Sequence, residues 1–104
     1  FVILIKRTLK PADKNLIDLI ISRKLEELAD ELDVIIEHSY YTNGICDWII
    51  CLKSGNIANA KKFCEVLLKT YKGYIENYNL IEILFPIRVQ GIINPELEKL
   101  NEFL

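Results

Sequence analysis

The chain has 104 residues, of which 51% are hydrophobic and 27% charged, and its formal net charge is −2. This composition excludes a disordered chain and favours one compact domain, and the slightly acidic balance argues against direct binding of nucleic acid. No apolar run reaches the roughly 20 residues of a membrane span, so no membrane contact is expected. The three cysteines have irregular spacing, which predicts a reduced, cytoplasmic protein without a metal site, and no other cofactor is expected.

The first half of the chain predicts a strand, a helix and a β-hairpin. Residues 1–8 are apolar and end before Pro11, which is typical of a strand. A helical period follows from Asp13 and predicts one helix to Leu32, with an apolar stripe on one side. Residues 34–41 and 47–53 are rich in β-forming residues and flank Asn43-Gly44, a dipeptide typical of hairpin turns. The predicted stripe of the helix contains Leu16, Ile20, Leu25, Leu28 and Leu32.

The second half repeats the helix–strand order. Residues 57–71 have helical periodicity, and Gly73 is placed to end that helix in a left-handed conformation. Residues 79–85 predict a fourth strand. We treat residues 1–85 as the domain and residues 86–104 as a C-terminal extension with an edge strand and a short helix.

This element order predicts an α+β fold of the ferredoxin-like β-α-β-β-α-β type, an antiparallel sheet with two helices on one face. The third and fourth strands are nevertheless apolar on both faces, whereas an exposed antiparallel face normally carries polar residues. The mean hydropathy of +0.17 is also high for a small domain. We therefore expect the second face to be covered by sheet-to-sheet self-association, giving a dimer or a higher oligomer.

Asp47 stands between the Gly44 turn and an apolar strand, and it has two interpretations. Its carboxylate can hydrogen-bond turn amides and fix the hairpin, as Asx residues often do. Alternatively, turn amides around Gly44 and the carboxylate form a polar pocket for a zwitterionic small molecule, in which the amides meet the ligand's carboxylate and Asp47 meets its ammonium. His38, the single histidine, has no evident titratable partner in the sequence and is interpreted as structural.

Two segments resemble a known family. Gly44-Ile45-Cys46-Asp47 at the start of the third strand, and Tyr71-Lys72-Gly73-Tyr74 before the fourth, are similar to the C-terminal effector domain of Lrp/AsnC transcriptional regulators, also called the RAM domain. The similarity spans about residues 1–85. In that family the domains dimerise through their sheets, and amino-acid effectors bind between dimers. The resemblance thus implies that Gly44 and Asp47 contact an effector.

The family's helix-turn-helix is not found in residues 1–104. We expect either a stand-alone effector domain or the C-terminal part of a longer regulator, which would act on transcription through a partner or attached DNA-binding domain. The leading hypothesis is a non-enzymatic, oligomeric domain that binds an amino acid or a related metabolite. The alternatives are a purely structural oligomerisation module and a small plait enzyme that uses His38.

Overall fold

The computed structural model describes residues 1–11 and 13–104. Strands and helices alternate along the first 81 residues, and short elements follow. In chain order the elements are β1 (Val2–Arg7), α1 (Lys14–Ile21), α2 (Lys24–Glu31), β2 (Val34–Tyr41), β3 (Trp48–Ser54), α3 (Ile57–Thr70), β4 (Ile75–Ile81), β5 (Arg88–Val89), β6 (Ile92–Ile93) and a 3₁₀ helix (Leu97–Phe103).

Four strands form one sheet in the order β2-β3-β1-β4. Each neighbouring pair is antiparallel. As a consequence, β1 and β2 run in the same direction with β3 between them, and β3 and β4 do so with β1 between them. The predicted α+β class and the antiparallel sheet are confirmed.

The helices pack on one side of this sheet, which we call the covered face. Strand residues alternate between faces, so β1 contributes Ile3 and Ile5 to the covered face, and β3 contributes Ile50 and Leu52. The core formed there also contains, from the helices and the segment after α3, Leu16, Leu25, Ala29, Phe63, Cys64, Leu67, Tyr71 and Tyr74. Burial of these side chains supplies the main stabilising free energy of the fold.

The predicted single helix over residues 13–32 is wrong, because the chain breaks at Ser22 and Arg23. Arg23 adopts a left-handed conformation with φ of 59° between α1 and α2. An unbroken helix turns by about 100° per residue, so Leu16 and Leu25, nine residues apart, would lie on opposite sides of it. The break brings both leucines to the covered face, where each is buried.

The fourth strand lies earlier in the sequence than predicted, at 75–81 instead of 79–85. Its register on β1 pairs Arg7 with Ile75 and Val2 with Ile81. Because β1 begins at Val2, residues 82–85 extend beyond the last available partner on that strand. The hydrophobicity of 79–85 therefore did not mark the hydrogen-bonded segment.

The C-terminal extension forms a small unit of its own. Its predicted edge strand is a β5–β6 hairpin, a separate two-stranded sheet, and does not join the main sheet. The predicted short helix is the 3₁₀ helix, and Phe103 on it packs against Phe85 with ring centroids 5.9 Å apart. The chain is elongated, with extents of 49 × 31 × 22 Å.

We call the other side of the main sheet the open face. Alternation and strand register place on it Val2, Leu4, Lys6, Ile35, His38, Tyr40, Ile49, Cys51, Lys53, Asn77, Asn79 and Ile81. Ile35 and Tyr40 on the edge strand are 61% and 51% exposed. The open face thus has an apolar centre with lysine, histidine and asparagine side chains around it. Among residues 1–11 and 13–104, no helix is both long enough and apolar enough to cross a bilayer.

Candidate functional site

The connection between β2 and β3 forms one end of the sheet and carries both residues implied by the resemblance. Thr42 closes the connection: its N–H donates to the carbonyl of Asp47 at 2.9 Å, and its hydroxyl donates to the carbonyl of Cys46 at 2.9 Å. Gly44 has φ of +150°, a conformation that L side chains rarely adopt. The Asn43-Gly44 turn signal thus correctly marked a position that favours glycine, whereas Asn43 is not among the described residues with positive φ.

Asp47 extends the pairing of β3 with β1 by one step. Its backbone N–H donates to the carbonyl of Ile5 at 2.8 Å, and its Oδ2 accepts the backbone N–H of Arg7 at 2.8 Å. The β1–β4 register shifts between Lys6 and Arg7, at the same point. The carboxylate thus binds an amide of β1, 40 residues away in the sequence, where the hairpin interpretation had expected an amide of the turn.

Asp47 also carries charge to the surface. Its Oδ2 lies 3.9 Å from Nζ of Lys6, and its side chain keeps 27% of its exposure. An ion pair at that distance and exposure contributes little to the free energy of folding. The hydrogen bonds of the described residues use Oδ2 and leave Oδ1 without a donor, so the carboxylate retains capacity for a further contact.

An open hollow of about 600 Å³ lies beside this carboxylate. Its charged lining combines Asp47 and Glu76 with Lys6, Arg7 and Lys10, and the loop after β1 completes it. Both signs of charge therefore face one small volume. This arrangement can hold a zwitterion, whose carboxylate meets the lysines and whose ammonium meets the carboxylates.

The loop that borders the hollow is attached to the segment after α3. Thr8 donates its N–H to the carbonyl of Tyr74 at 2.9 Å and its hydroxyl to the carbonyl of Gly73 at 2.6 Å. Tyr74 donates its hydroxyl to Asp13 at 2.6 Å, and Nζ of Lys10 lies 4.4 Å from the centre of the Tyr74 ring. The Tyr74 hydroxyl is the main reason that the pKa of Asp13 falls below its ordinary value, with the N–H of Leu16 adding to the effect. These contacts fix the wall of the hollow before any ligand arrives.

The structure brings only one of the two implied residues to the hollow. Asp47 lines it, whereas Gly44 is exposed in the turn and does not belong to its lining among residues 1–11 and 13–104. Lys6, Lys10 and Glu76 were missed by the sequence analysis. No motif marks them, because they meet Asp47 only through the pairing of β1 with its two neighbours.

The other candidate chemical groups lie elsewhere. His38 is on the open face, and its ring stacks on Tyr40 with centroids 5.8 Å apart. Cys64 is buried, and burial raises the pKa of its thiol to about 11. Across the part of the chain that the structure describes, no group of three or more His, Cys, Asp or Glu residues is arranged to hold a metal ion.

Comparisons of this chain with protein-family profiles, curated proteins and solved structures gave no match.

Proposed function

We infer that this chain is a non-enzymatic, self-associating domain of the Lrp/AsnC effector-binding type, which binds an amino acid or a related small metabolite and contributes to transcriptional regulation. The observation that carries the inference is the hollow beside Asp47, which is lined by two acidic and three basic residues. A free amino acid presents the matching pair of charges. The link to transcription comes from the sequence resemblance of residues 44–47 and 71–74.

The topology supports the ferredoxin-like plait that this family uses. Read from the opposite edge, the strand order is β4-β1-β3-β2. In the first split β-α-β unit, β1 and β2 are parallel and β3 lies between them. In the second, β3 and β4 are parallel and β1 lies between them. The helices that connect each pair lie on the covered face. The effector would bind at the end of this sheet, where β1 leaves β3.

The open face supports self-association through the sheet. Its centre consists of aliphatic side chains and Cys51, and an isolated antiparallel sheet normally exposes polar residues there. Two such faces packed together would remove this apolar surface from water. The ends of the sheets, and thus the Asp47 hollows, would then lie at the edges of this dimer, where a second dimer would have to pack for a ligand to bind between dimers.

The first experiment is a thermal-unfolding screen with the twenty amino acids at millimolar concentration. A ligand at about 100 times its Kd stabilises the fold by about 2.7 kcal/mol, which raises Tm by several degrees for a domain of this size.

Asp47→Asn is the informative variant, because its amide oxygen can still accept the Arg7 N–H while the negative charge is removed. We expect it to fold normally and to lose the ligand response. Asp30→Asn, an exposed acid on α2, is the matched control. An unchanged Tm with all twenty amino acids would reject amino-acid binding.

The second experiment measures assembly by sedimentation equilibrium. Leu4→Lys places a charge in the centre of the open face, and we expect it to give monomers. Ile21→Lys is the matched control, since Ile21 is 71% exposed on α1, on the opposite side of the sheet. A wild-type protein that is monomeric at 100 µM or more would reject self-association through the sheet.

A purely structural oligomerisation module is the second candidate, and the contact between Asp47 and the Arg7 N–H favours it. In that case the carboxylate serves only to join β1 to β3. Both candidates predict assembly through the open face. An amino acid raises the Tm of an effector-binding domain, whereas no amino acid changes the Tm of a purely structural module.

A further inference from the structure

A second cavity lies between α1 and the covered face, and it shares Arg7 with the lining of the hollow proposed above as the amino-acid site. It has a volume of about 450 Å³ and is walled by Leu16 and Ile20 of α1, by Trp48 of β3, and by Tyr71 and Tyr74 beyond α3. This volume falls within the range of small-molecule sites in proteins. The aromatic rings give the cavity rigid walls: Trp48 and Tyr71 meet edge to face, with centroids 5.3 Å apart.

Among the residues that the structure describes, Arg7 supplies the single charged side chain in the lining of this cavity. Its Nη2 donates to the carbonyl of Lys10 at 3.3 Å. Its Nε is buried and has no hydrogen-bond partner among residues 1–11 and 13–104. A buried N–H without an acceptor is costly and uncommon in folded proteins, and here it belongs to a charged group.

We propose that this cavity binds a small carboxylic acid with an apolar body, such as an aryl or branched alkyl carboxylate. The apolar body would pack against the leucine, isoleucine and aromatic walls. The carboxylate would pair with the guanidinium of Arg7, the charged group in the lining.

The charge of the lining separates this ligand class from others. No Asp or Glu lines the cavity within the described residues, so the ammonium of an amino acid would be buried without a counter-charge. Ser39, a polar residue of the lining, is uncharged, and its hydroxyl already accepts the indole N–H of Trp48 at 2.8 Å, so it supplies no counter-charge either. A phosphate monoester would bring close to two negative charges to one guanidinium in an apolar surround, which is also unfavourable. A monoanion with an apolar body satisfies Arg7 and leaves no other charge unpaired.

Trp48 is the chain's only tryptophan and lines the cavity, so its fluorescence reports directly on binding. The wild-type protein is titrated with phenylacetate and with 4-methylpentanoate. Phenylacetamide, 2-phenylethylamine and phenylalanine serve as neutral, cationic and zwitterionic comparisons of similar shape. We expect saturable binding of both acids with a Kd below about 1 mM, and binding of the amide weaker by about ten- to a hundredfold. No saturation with either acid, or equal binding of acid and amide, would overturn the proposal.

Variants test the position of the ligand. Arg7→Leu is expected to remove the preference for acid over amide while leaving amide binding unchanged. Ile20→Phe adds volume to the cavity wall and is expected to weaken both ligands at least tenfold. Ile21→Phe makes the same change on the next residue of α1, which does not line the cavity, and is expected to have no effect.

One further variant distinguishes ligand binding in the cavity from ligand binding in the hollow. Arg7 lines both the cavity and the hollow, but Asp47 lines only the hollow. Asp47→Asn is therefore expected to leave phenylacetate binding unchanged, even where it abolishes an amino-acid response. If Ile20→Phe leaves phenylacetate binding intact, the acid binds somewhere else and the proposal is wrong.

Discussion

The two faces of the main sheet are built from similar side chains and have different environments. Ile50 on β3 points to the covered face and is fully buried, whereas Ile49, its neighbour in sequence, points to the open face and is half-buried. The same contrast separates Ile3 and Leu4 on β1. Strand periodicity decides which face a residue joins, and the position of the helices decides which face becomes the core.

The contrast also shows that the open face is more apolar than the single chain requires. A solvated antiparallel face is stable with alternating polar residues, yet Leu4, Ile49 and Cys51 form its centre. Burial on the covered face accounts for folding, and it does not account for these three residues. A second copy of the sheet would give them a role, and the following experiments test this difference between the faces.

The largest expected difference is in thiol reactivity. Cys64 lies in the core beneath the covered face, and burial raises its pKa to about 11, so its reactive thiolate is scarce. We expect Cys64 to react with iodoacetamide at least about a thousandfold more slowly than Cys51, because it is reached only after unfolding. Peptide mass spectrometry separates the two sites.

The labelling of Cys51 also reports on assembly. If two open faces pack together, Cys51 reacts faster on dilution, while Cys64 does not change. Comparable rates at the two cysteines in the folded, dissociated chain at high dilution would contradict the contrast between the faces.

The next largest effect is the loss of stability on shortening adjacent isoleucines. Ile50→Ala leaves a cavity in the core and is expected to lower the free energy of unfolding by about 2–5 kcal/mol. Ile49→Ala removes the same atoms from the open face and is expected to cost about 1 kcal/mol or less in the monomer. Urea unfolding at low protein concentration measures both, and similar losses would show that the open face is part of the folding core.

Sequence patterns were sufficient for the elements whose signals are local. Gly44 and Gly73 both have positive φ, as their turn and helix-end positions predicted. The strands of the hairpin were found because β-forming residues surround a strong turn signal. The break at Arg23 has no glycine or proline to mark it. The spacing of Leu16 and Leu25 does indicate the break, because in one continuous helix these two leucines would lie on opposite sides.

The candidate site depended on contacts that periodicity does not contain. Asp47 could be singled out because it stands next to an apolar strand, but its acceptor role toward Arg7 depends on strand register. Lys6 and Glu76 reach the same hollow from two different strands. The cavity near Arg7 is lined by residues of α1, by Trp48 at the start of β3 and by the segment after α3, and no local pattern predicts that these elements enclose a space.

A smaller effect is expected from the cap of α3, which helps to hold a helix on the covered face. The side chain of Asn56 accepts the N–H of Asn59 at 2.8 Å. Asn56→Ala is expected to lower the free energy of unfolding by about 1 kcal/mol, and Tm by about 4–8 °C. Asn56→Ser can still accept this bond and serves as the control. Because the cap lies away from the open face, a change in assembly with Asn56→Ala would show that the two faces are coupled.

The smallest effect concerns the pH dependence of stability at Asp13, which caps α1 on the covered side. Its pKa is lowered in the folded protein, mainly by the Tyr74 hydroxyl, so its charged form stabilises the fold at pH values above the unfolded pKa of about 3.9. This contribution is lost as the pH falls below about 4 and through the lower folded pKa. Asp13→Asn keeps an acceptor for the N–H of Leu16. The gap in unfolding free energy between wild type and Asp13→Asn should therefore be present at pH 7 and shrink below pH 4.

Tyr74→Phe removes the main cause of the shift in the pKa of Asp13, so the same comparison in that background should give a smaller gap. An equal gap with and without the Tyr74 hydroxyl would mean that the helix cap alone sets the charge preference of Asp13.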